Sequence, residues 1–410
     1  MSFSIPNRLP RAKSREHIRI YDLYTDIPNW ITYTRTGIAT AVVEGELTIF
    51  QADEIRATEY GWLIEESRVN YLTSYNYQIV DTAGITTSGD GTISISNDYT
   101  NLQTSGLSLT VATGVVYTFD NTSGTDYGYM TFSGTVNSTD DHTMSVYASV
   151  PVGGVDMYLT GQESTSLTLT TSNTYLRNYL VQTPAATTDQ MIIRVAAGSK
   201  ISFVLQQLEK GGFPTSVIPS ASGAAKVRGQ DIIDANYHEV FKNHTGSLAF
   251  YATSPSALTG TANSRLFAIG ESSSDRIAGW MATNQAFRLF GAKSGVSNST
   301  TPFTWAFGTE LKVAFRFSPL RLEMRDSSTL TTLSLDKLYI PIMTKEFTVK
   351  LGRNVADVNF WNGYIRKIAI SQYLEDLNEM LNKVDFDISL YDSAGYPLYD
   401  ASDEELATTI

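Results

Sequence analysis

The sequence predicts an all-β protein: two antiparallel β-sandwiches, an extended N-terminal arm and a short C-terminal helix. Three observations carry this. Short runs in which apolar residues alternate with Ser and Thr recur between clusters of Gly, Asn and Asp, the pattern of strands with one buried face. No helical crossover pattern separates the runs, which argues antiparallel sheets over parallel ones. The chain has 410 residues, more than one typical core fills, so two or three domains are expected.

Residues 1–60 read as a docking arm and lead-in. Arg8, Arg11, Lys13, Arg15 and Arg19 oppose only Glu16, with Pro6 and Pro10 among them. Such a basic arm is either a solvated tail or a segment that orders along an acidic partner. The first sandwich is expected over 61–222. "GTISISN" sets Ile93 and Ile95 on one face, and "LSLTVAT" sets Leu107, Leu109 and Val111. "VVYTFDN" adds Val115, Tyr117 and Phe119, and "TMSVYASV" adds Met144, Val146, Ala148 and Val150. "KISFVLQQLEKGG" closes the sandwich with Ile201, Phe203 and Leu205 in one phase, and the small-residue stretch "PSASGAAKVRG" reads as a linker.

The second sandwich is expected over 223–372. "ELKVAFRFSPLRLEMRD" turns Leu311, Val313, Phe315 and Phe317 inward and, after Pro319, Leu320, Leu322 and Met324; "FTVKLGR" and "GYIRKIAIS" add strands. Residues 373–410 are the helix and tail. Leu374, Leu377, Leu381 and Val384 share one face of a short amphipathic helix. The tail from 385 carries seven acids and no base, so it is either a flexible end or a strip for a neighbour's basic arm.

Composition narrows the function. Cysteine is absent, which rules out disulfides and thiolate chemistry. No apolar run approaches the ~20 residues of a membrane span, and charges stand where a secretory signal would be apolar. The product is therefore expected to be made in a cytoplasm, without membrane insertion. The formal net charge is −12, and between Arg68 and Arg177 there are nine acids and no Lys or Arg. That one-sign surface repels phosphate backbones and anionic lipid, so nucleic acid is not an expected partner.

Catalytic patterns are missing from the sequence. His17, His142, His238 and His244 form no metal-binding spacing, and neither a G-x-S-x-G nor a G-x-x-x-x-G-K-[ST] run occurs. No catalytic residue is assigned, and the protein is expected not to be an enzyme. No cofactor is expected either. Calcium is the one metal with oxygen-rich loops to offer it, at 88–92, 137–143 and 271–276, though such loops commonly serve as turns. For glycan contact the candidates are Tyr127 and Tyr129, which face outward if Phe132 is buried, and Trp280 and Trp305 near polar loops. Large aromatics serve core packing and interfaces as readily.

Three stretches resemble tailed-phage structural proteins of the head-spike and fibre type: "GWLIEESRVNYLTSYN", "HTMSVYASVPVGGVDMYLTG" and "LQQLEKGGFPTSVIPSASGAAKVRGQDI". In that family an ingoing Leu-Ile-Glu-Glu-x-Arg-x-Asn-Leu-Leu motif leads into a jelly roll like those of carbohydrate-binding modules. An outgoing Gln-Leu-Glu-x-Gly-x-Phe-x-Thr-Ser-Tyr-Ile-Pro motif closes it. Here the first spans 63–72, and the second spans 207–219 with Val217 where Tyr is usual. "GIATAVVEGELTIFQADEIRATEYG" resembles the family's lead-in. Residues 246–372 are similar to a laminin-G or concanavalin-like sandwich through "ELKVAFRFSPLRLEMRD", "LGRN" and "NGYIRKIAISQYLED".

Glu65, Glu66 and Arg68, and again Gln207, Glu209 and Arg228, are expected to be structural, their charges pairing to fix how the chain enters and leaves the sandwich. The resemblance implies a non-enzymatic virion protein assembled in the host cytoplasm. It would be a head or tail fibre or spike that displays its sandwiches for attachment to host-surface glycans. Its expected partners are other capsid or tail proteins and itself, as a homo-oligomer with a trimer expected. The alternative is a capsid decoration or cement protein that stabilises the head without a ligand.

Overall fold

Alternation becomes a strand wherever the apolar phase finds a facing sheet. The computed structural model describes residues 18–25, 27–44, 46–96, 108–109, 115–220, 224–236, 240–241, 245–253, 264–318, 321–327, 329–334, 348–356 and 360–385. Its strands form two sandwiches, each with its own apolar core.

The first is a jelly roll of two five-stranded sheets. One runs Ser172–Gln182, His142–Val152, Ser199–Lys210, Val116–Asn121, Thr92–Ser96, and the other Leu167–Thr168, Val155–Leu159, Met191–Val195, Gly128–Phe132, Ile85–Gly89. Neighbouring strands are antiparallel throughout. Phe119, Phe132, Met144 and Val146 are fully buried between the sheets, and Tyr117 stacks on Phe203 at 5.2 Å. Ile93 and Ile95 lie on an edge strand, where Ile93 packs half-buried against the core and Ile95 is exposed. Leu107, Val111 and the Leu109 side chain fall outside the described residues.

The strand Ser199–Lys210 departs from strict alternation. Ile201 and Phe203 face the core as expected, but Leu205 adopts φ 57° and the register against His142–Val152 shifts nearby. This is a bulge, and a bulge exchanges the faces of the strand beyond it. Val204, Leu205 and Leu208 all reach the core, while Gln207 and Glu209 turn toward Thr215 and Ser216 on the way out.

The second sandwich packs two eight-stranded sheets. In one, Leu330–Ser334, Arg321–Arg325, Glu310–Ser318, Gly246–Thr253, Gly363–Ser371, Gly61–Ile64 and Ala57–Thr58 lie in order, with Arg19–Asp22 also on Gly363–Ser371. In the other the order is Ile31–Thr34, Ile232–Asn236, Thr348–Leu351, Ser264–Ser272, Asp275–Met281, Ala286–Lys293 and Val296–Ser299, with Phe303–Thr304 on Ala286–Lys293. Phe250 stacks on Phe267 at 5.4 Å, and Trp62, Phe287, Phe315 and Trp361 complete the centre.

The connectivity revises the expected domain limits. Arg19–Asp22 and Gly61–Ile64 pair with Gly363–Ser371, and Ile31–Thr34 pairs with Ile232–Asn236. These lead-in strands therefore belong to the second sandwich, whereas Ala39–Val43 and Glu46–Phe50 pair with each other in a separate small sheet whose Leu47 packs into the jelly-roll core. The jelly roll is an insertion that leaves after Ile64 and returns at Ile232. Limits at 60/61 and 222/223 miss this because strands remote in sequence complete one sheet. The stretch read as a linker holds a strand, Lys226–Arg228, paired antiparallel with Arg68–Asn70 as a neck. Arg19, read as part of the basic arm, pairs with Ile370 in the sheet; Arg8, Arg11, Lys13 and Arg15 lie outside the described residues.

The α-helix is Leu377–Asp385 and begins later than the apolar spacing suggests. Asp376 caps it, accepting the N–H of Asn378 at 2.8 Å and of Glu379 at 3.1 Å, and leaves Leu374 exposed in front. Leu377, Met380, Leu381 and Val384 pack on Ala249, Ala314 and Ala369, whose small side chains let the helix lie on the sheet. Residues 386–410, with most of the acidic tail, are outside the described set.

Candidate functional site

The ingoing and outgoing motifs meet at the root of the insertion. There the Asp231 N–H donates to the Glu65 carbonyl at 3.0 Å, and the Glu65 N–H donates to Asp231 Oδ2 at 2.9 Å. The Glu65 carboxylate pairs with Arg56 at 2.6 Å and Arg228 at 2.9 Å, and accepts the Ser216 hydroxyl at 2.6 Å. Asp231 pairs with Arg56 and, at 3.2 Å, with Arg35. Burial opposes ionisation of Glu65, but Arg228 and Arg56 beside it and the Ser216 bond outweigh it and hold the carboxyl well below the usual range.

Glu209 accepts from Gln207 Nε2 at 2.7 Å and from the Thr215 N–H at 2.8 Å. Arg68 pairs with Glu66 and lies over Phe213 at 4.8 Å. Sequence reasoning missed Arg35, Arg56 and Asp231, which complete the cluster; no local pattern connects positions so far apart. Its charges are paired and enclosed, so this centre holds the sandwiches together and offers no reactive group.

The jelly roll supplies the open surface. On the outer face of the sheet containing Val116–Asn121 lies a groove of about 1000 Å³. Its floor is the hydroxyl phase of the alternation: Thr118 Oγ1 lies 2.8 Å from Ser96 Oγ and 3.1 Å from Ser202 Oγ, bridging three strands. Asp120 and Lys200 stand two residues along, 3.5 Å apart. Hydrogen bonds from the Thr122 hydroxyl and N–H hold Asp120 below the usual carboxylate range, so it is an acceptor at neutral pH. The Ser and Thr pattern was visible in sequence, but their assembly into one face depends on strand register.

On the opposite sheet Tyr127 is exposed and Tyr129 half-buried, with ring centroids 6.4 Å apart, while Met130 and Phe132 are fully buried. Arg194 lies over Tyr127 at 4.8 Å and pairs with Asp156 at 2.6 Å. Trp280 lies on the second sandwich with Arg265 at 4.6 Å and Arg288 at 5.5 Å from its ring. Trp305 packs against the second core, edge-on to Phe303 at 6.2 Å.

In the oxygen-rich loops the carboxylates brace turns. Asp90 accepts the N–H groups of Thr125 and Asp126 at 2.7 and 2.9 Å, Asp140 pairs with Lys210 at 2.5 Å, and Asp275 accepts the Ser294 N–H at 3.0 Å. Among the described residues no group of three or more His, Asp or Glu is arranged to hold a metal ion. His142 is buried, with Nδ1 2.8 Å from the Asp140 carbonyl, and burial pushes its pKa down. His17, His238 and His244 are outside the described residues.

Neither a protein-family model nor a curated protein matches this sequence. Among solved structures, the chain is similar to the CBM40 of the Ruminococcus gnavus IT-sialidase bound to α2,3-sialyllactose. Identity is 12% and TM-score 0.29, over 35% of this chain and 84% of that one. It is similar to the binding domain of botulinum neurotoxin DC in complex with SialylT at 13% identity and TM-score 0.31, over 42% and 44%. Mouse laminin α1 domains LG4-5 are similar at 11% identity and TM-score 0.25, over 59% and 86%. At these values the likeness goes no further than the β-sandwich class, which the strand pairing itself establishes.

Proposed function

We propose that this chain is a non-enzymatic attachment protein, a fibre or spike component of a phage virion that presents its sandwiches to host-surface glycans. The observation that carries the reading is the hydroxyl-floored groove of the jelly roll. Aligned Ser and Thr hydroxyls offer donors and acceptors together, which suits a polyhydroxylated ligand, and the Asp120–Lys200 pair gives it an orientation. The groove is open along its length, so it accommodates a chain without enclosing one bond. Contacts of this kind are individually weak and gain strength through several tethered copies. The virion assignment rests on the ingoing and outgoing motifs.

A glycan array probed with the full chain tests the reading. Saturable binding to a host-surface polysaccharide, weakened at least tenfold by Thr118→Val combined with Lys200→Ala, is expected. No binding to any host glycan, with many copies decorating the particle head, would replace it with a cement role.

A further inference from the structure

The second sandwich carries a feature that the groove does not use. Arg265, Trp280 and Arg288 stand directly opposite one another on three adjacent strands, Arg265 against Trp280 and Trp280 against Arg288. They point away from the core, whose inward residues on the same strands are Leu266, Met281 and Leu289. Arg276 rises from the middle strand of the same face, over Phe290 at 5.3 Å. Three guanidinium groups thus gather on one face of a chain whose net charge is −12.

Buried Nε atoms without a partner occur on the neck arginines Arg56 and Arg228 too; what sets this group apart is its lack of a carboxylate partner. Arg265 is only 8% exposed, yet its Nε and Nη1 are buried without a hydrogen-bond partner. The Nε atoms of Arg276 and Arg288 and the indole Nε1 of Trp280 are in the same condition. Arg276 reaches only the Asn354 side-chain oxygen, at 2.8 Å, and among the described residues none of the three arginines is ion-paired. Of this sheet's carboxylates, Asp234 pairs with Arg353, Asp275 accepts the Ser294 N–H, and Glu271 is exposed and forms no ion pair with the three arginines. Burial, and then the like charge of Arg276, push the Arg265 pKa down to about 10. A buried, uncompensated cation is costly, whereas the buried arginines of the neck each have a carboxylate partner.

We propose that the Arg265–Trp280–Arg288 ladder, with Arg276, is a binding site for a single oxyanion, the carboxylate or phosphate group of a small ion or of one substituent on an otherwise neutral saccharide. The array presents donors only, and guanidinium groups match the planar, two-oxygen edge of such groups. Trp280 acts as the spacer that holds two of the guanidiniums, so it does not serve as a bare stacking platform for a sugar. The strongly acidic remainder of the chain repels a long polyanion, which limits the ligand to an isolated charge. The site is independent of the jelly-roll groove and of the reading built on it.

The test is titration of the full chain, followed by intrinsic tryptophan fluorescence and thermal midpoint, with sodium phosphate against sodium chloride at matched ionic strength, and with cellobiouronic acid against cellobiose. Saturable responses to phosphate or to the uronic acid, with none to chloride or cellobiose, are expected. A response to phosphate alone identifies a free ion as the ligand, and a stronger response to the uronic acid identifies a sugar-borne carboxylate. Arg265→Met should abolish the response while raising the midpoint in chloride, since it removes an unpaired buried charge. Arg288→Gln, at a half-buried position, should weaken binding about tenfold, and it keeps the test decisive if Arg265→Met does not fold. The proposal is overturned if the wild type shows no saturable response, or if Arg288→Gln binds as the wild type does.

Discussion

Glu65 and Arg228 are ion-paired at 2.9 Å across the two ends of the inserted jelly roll, with both side chains essentially removed from water. Around them Arg35, Arg56 and Arg228 face Glu65, Asp231 and Glu209, three positive groups against three negative ones. A balanced cluster of this kind adds little net stability relative to apolar packing, but removing one member is severe. Its place at the root suggests what it does: it admits only the arrangement in which the outgoing strand returns beside the ingoing one.

Removing a single charge from this cluster should expose that dependence. Glu65→Gln leaves Arg56 and Arg228 underpaired, and a loss of about 3–5 kcal/mol is expected from the cost of breaking a buried pair. Urea unfolding of wild type and variant measures it. A loss under 1 kcal/mol, the scale of a surface pair, would mean that water already reaches the cluster.

Acid should act through the same carboxylate. Despite burial, Arg228 and Arg56 hold the folded-state pKa of Glu65 below the ordinary value of 4.5, so the unfolded chain takes up the proton first. Its contribution is complete above that value and is lost as pH falls below it. His142 acts earlier: burial lowers its pKa beneath 6.5, so stability also declines as pH drops through that value. Thermal midpoints measured from pH 8 to pH 3 should fall in both windows, and in Glu65→Gln the decline below 4.5 should flatten.

Gly211 tests the neck from its other side. It sits at φ 128°, and an added Cβ would lie 1.7 Å from Arg68 Nη1. Gly211→Ala should therefore cost about 1–3 kcal/mol in backbone strain and also dislodge Arg68 from Glu66 and Phe213. Gly198, at φ 75° with open space around it, is the control for strain alone. Chemical denaturation should rank Gly211→Ala as the more damaging of the two, and equal losses would show that Arg68 moves aside freely.

The bulge in Ser199–Lys210 makes a further contrast. Leu208 is fully buried only because Leu205 switches the strand's faces. Leu208→Ala should cost about 2–5 kcal/mol, as core truncations do, whereas Ile95→Ala on the exposed edge should stay within about 0.5 kcal/mol. Unfolding free energies of the two variants decide whether the bulge or uninterrupted alternation describes the strand.

These contrasts mark how far the sequence could be read. Alternation revealed the β class and the inward phases of Tyr117, Phe119, Met144, Val146, Phe315 and Phe317, since one-sided burial writes itself into local pattern. It did not reveal that Arg19–Asp22, Ile31–Thr34 and Gly61–Ile64 complete the second sandwich, because their partners lie hundreds of residues away. The face switch at Leu205 was equally hidden, as a bulge is a property of pairing. Of the surfaces, Tyr127 and Trp280 stood out as aromatics. The Ser96–Thr118–Ser202 floor and the unpaired Arg265 did not, since small hydroxyls and a single arginine have no signature until register sets them side by side.

Calorimetric titration of the best-bound host glycan into the full chain, beside the Thr118→Val, Lys200→Ala double variant, addresses the attachment role most directly. Saturable binding weakened at least tenfold in the variant, with the glycan recovered uncleaved, is the predicted result. Equal binding by both proteins, or recovery of shortened glycan, would contradict it.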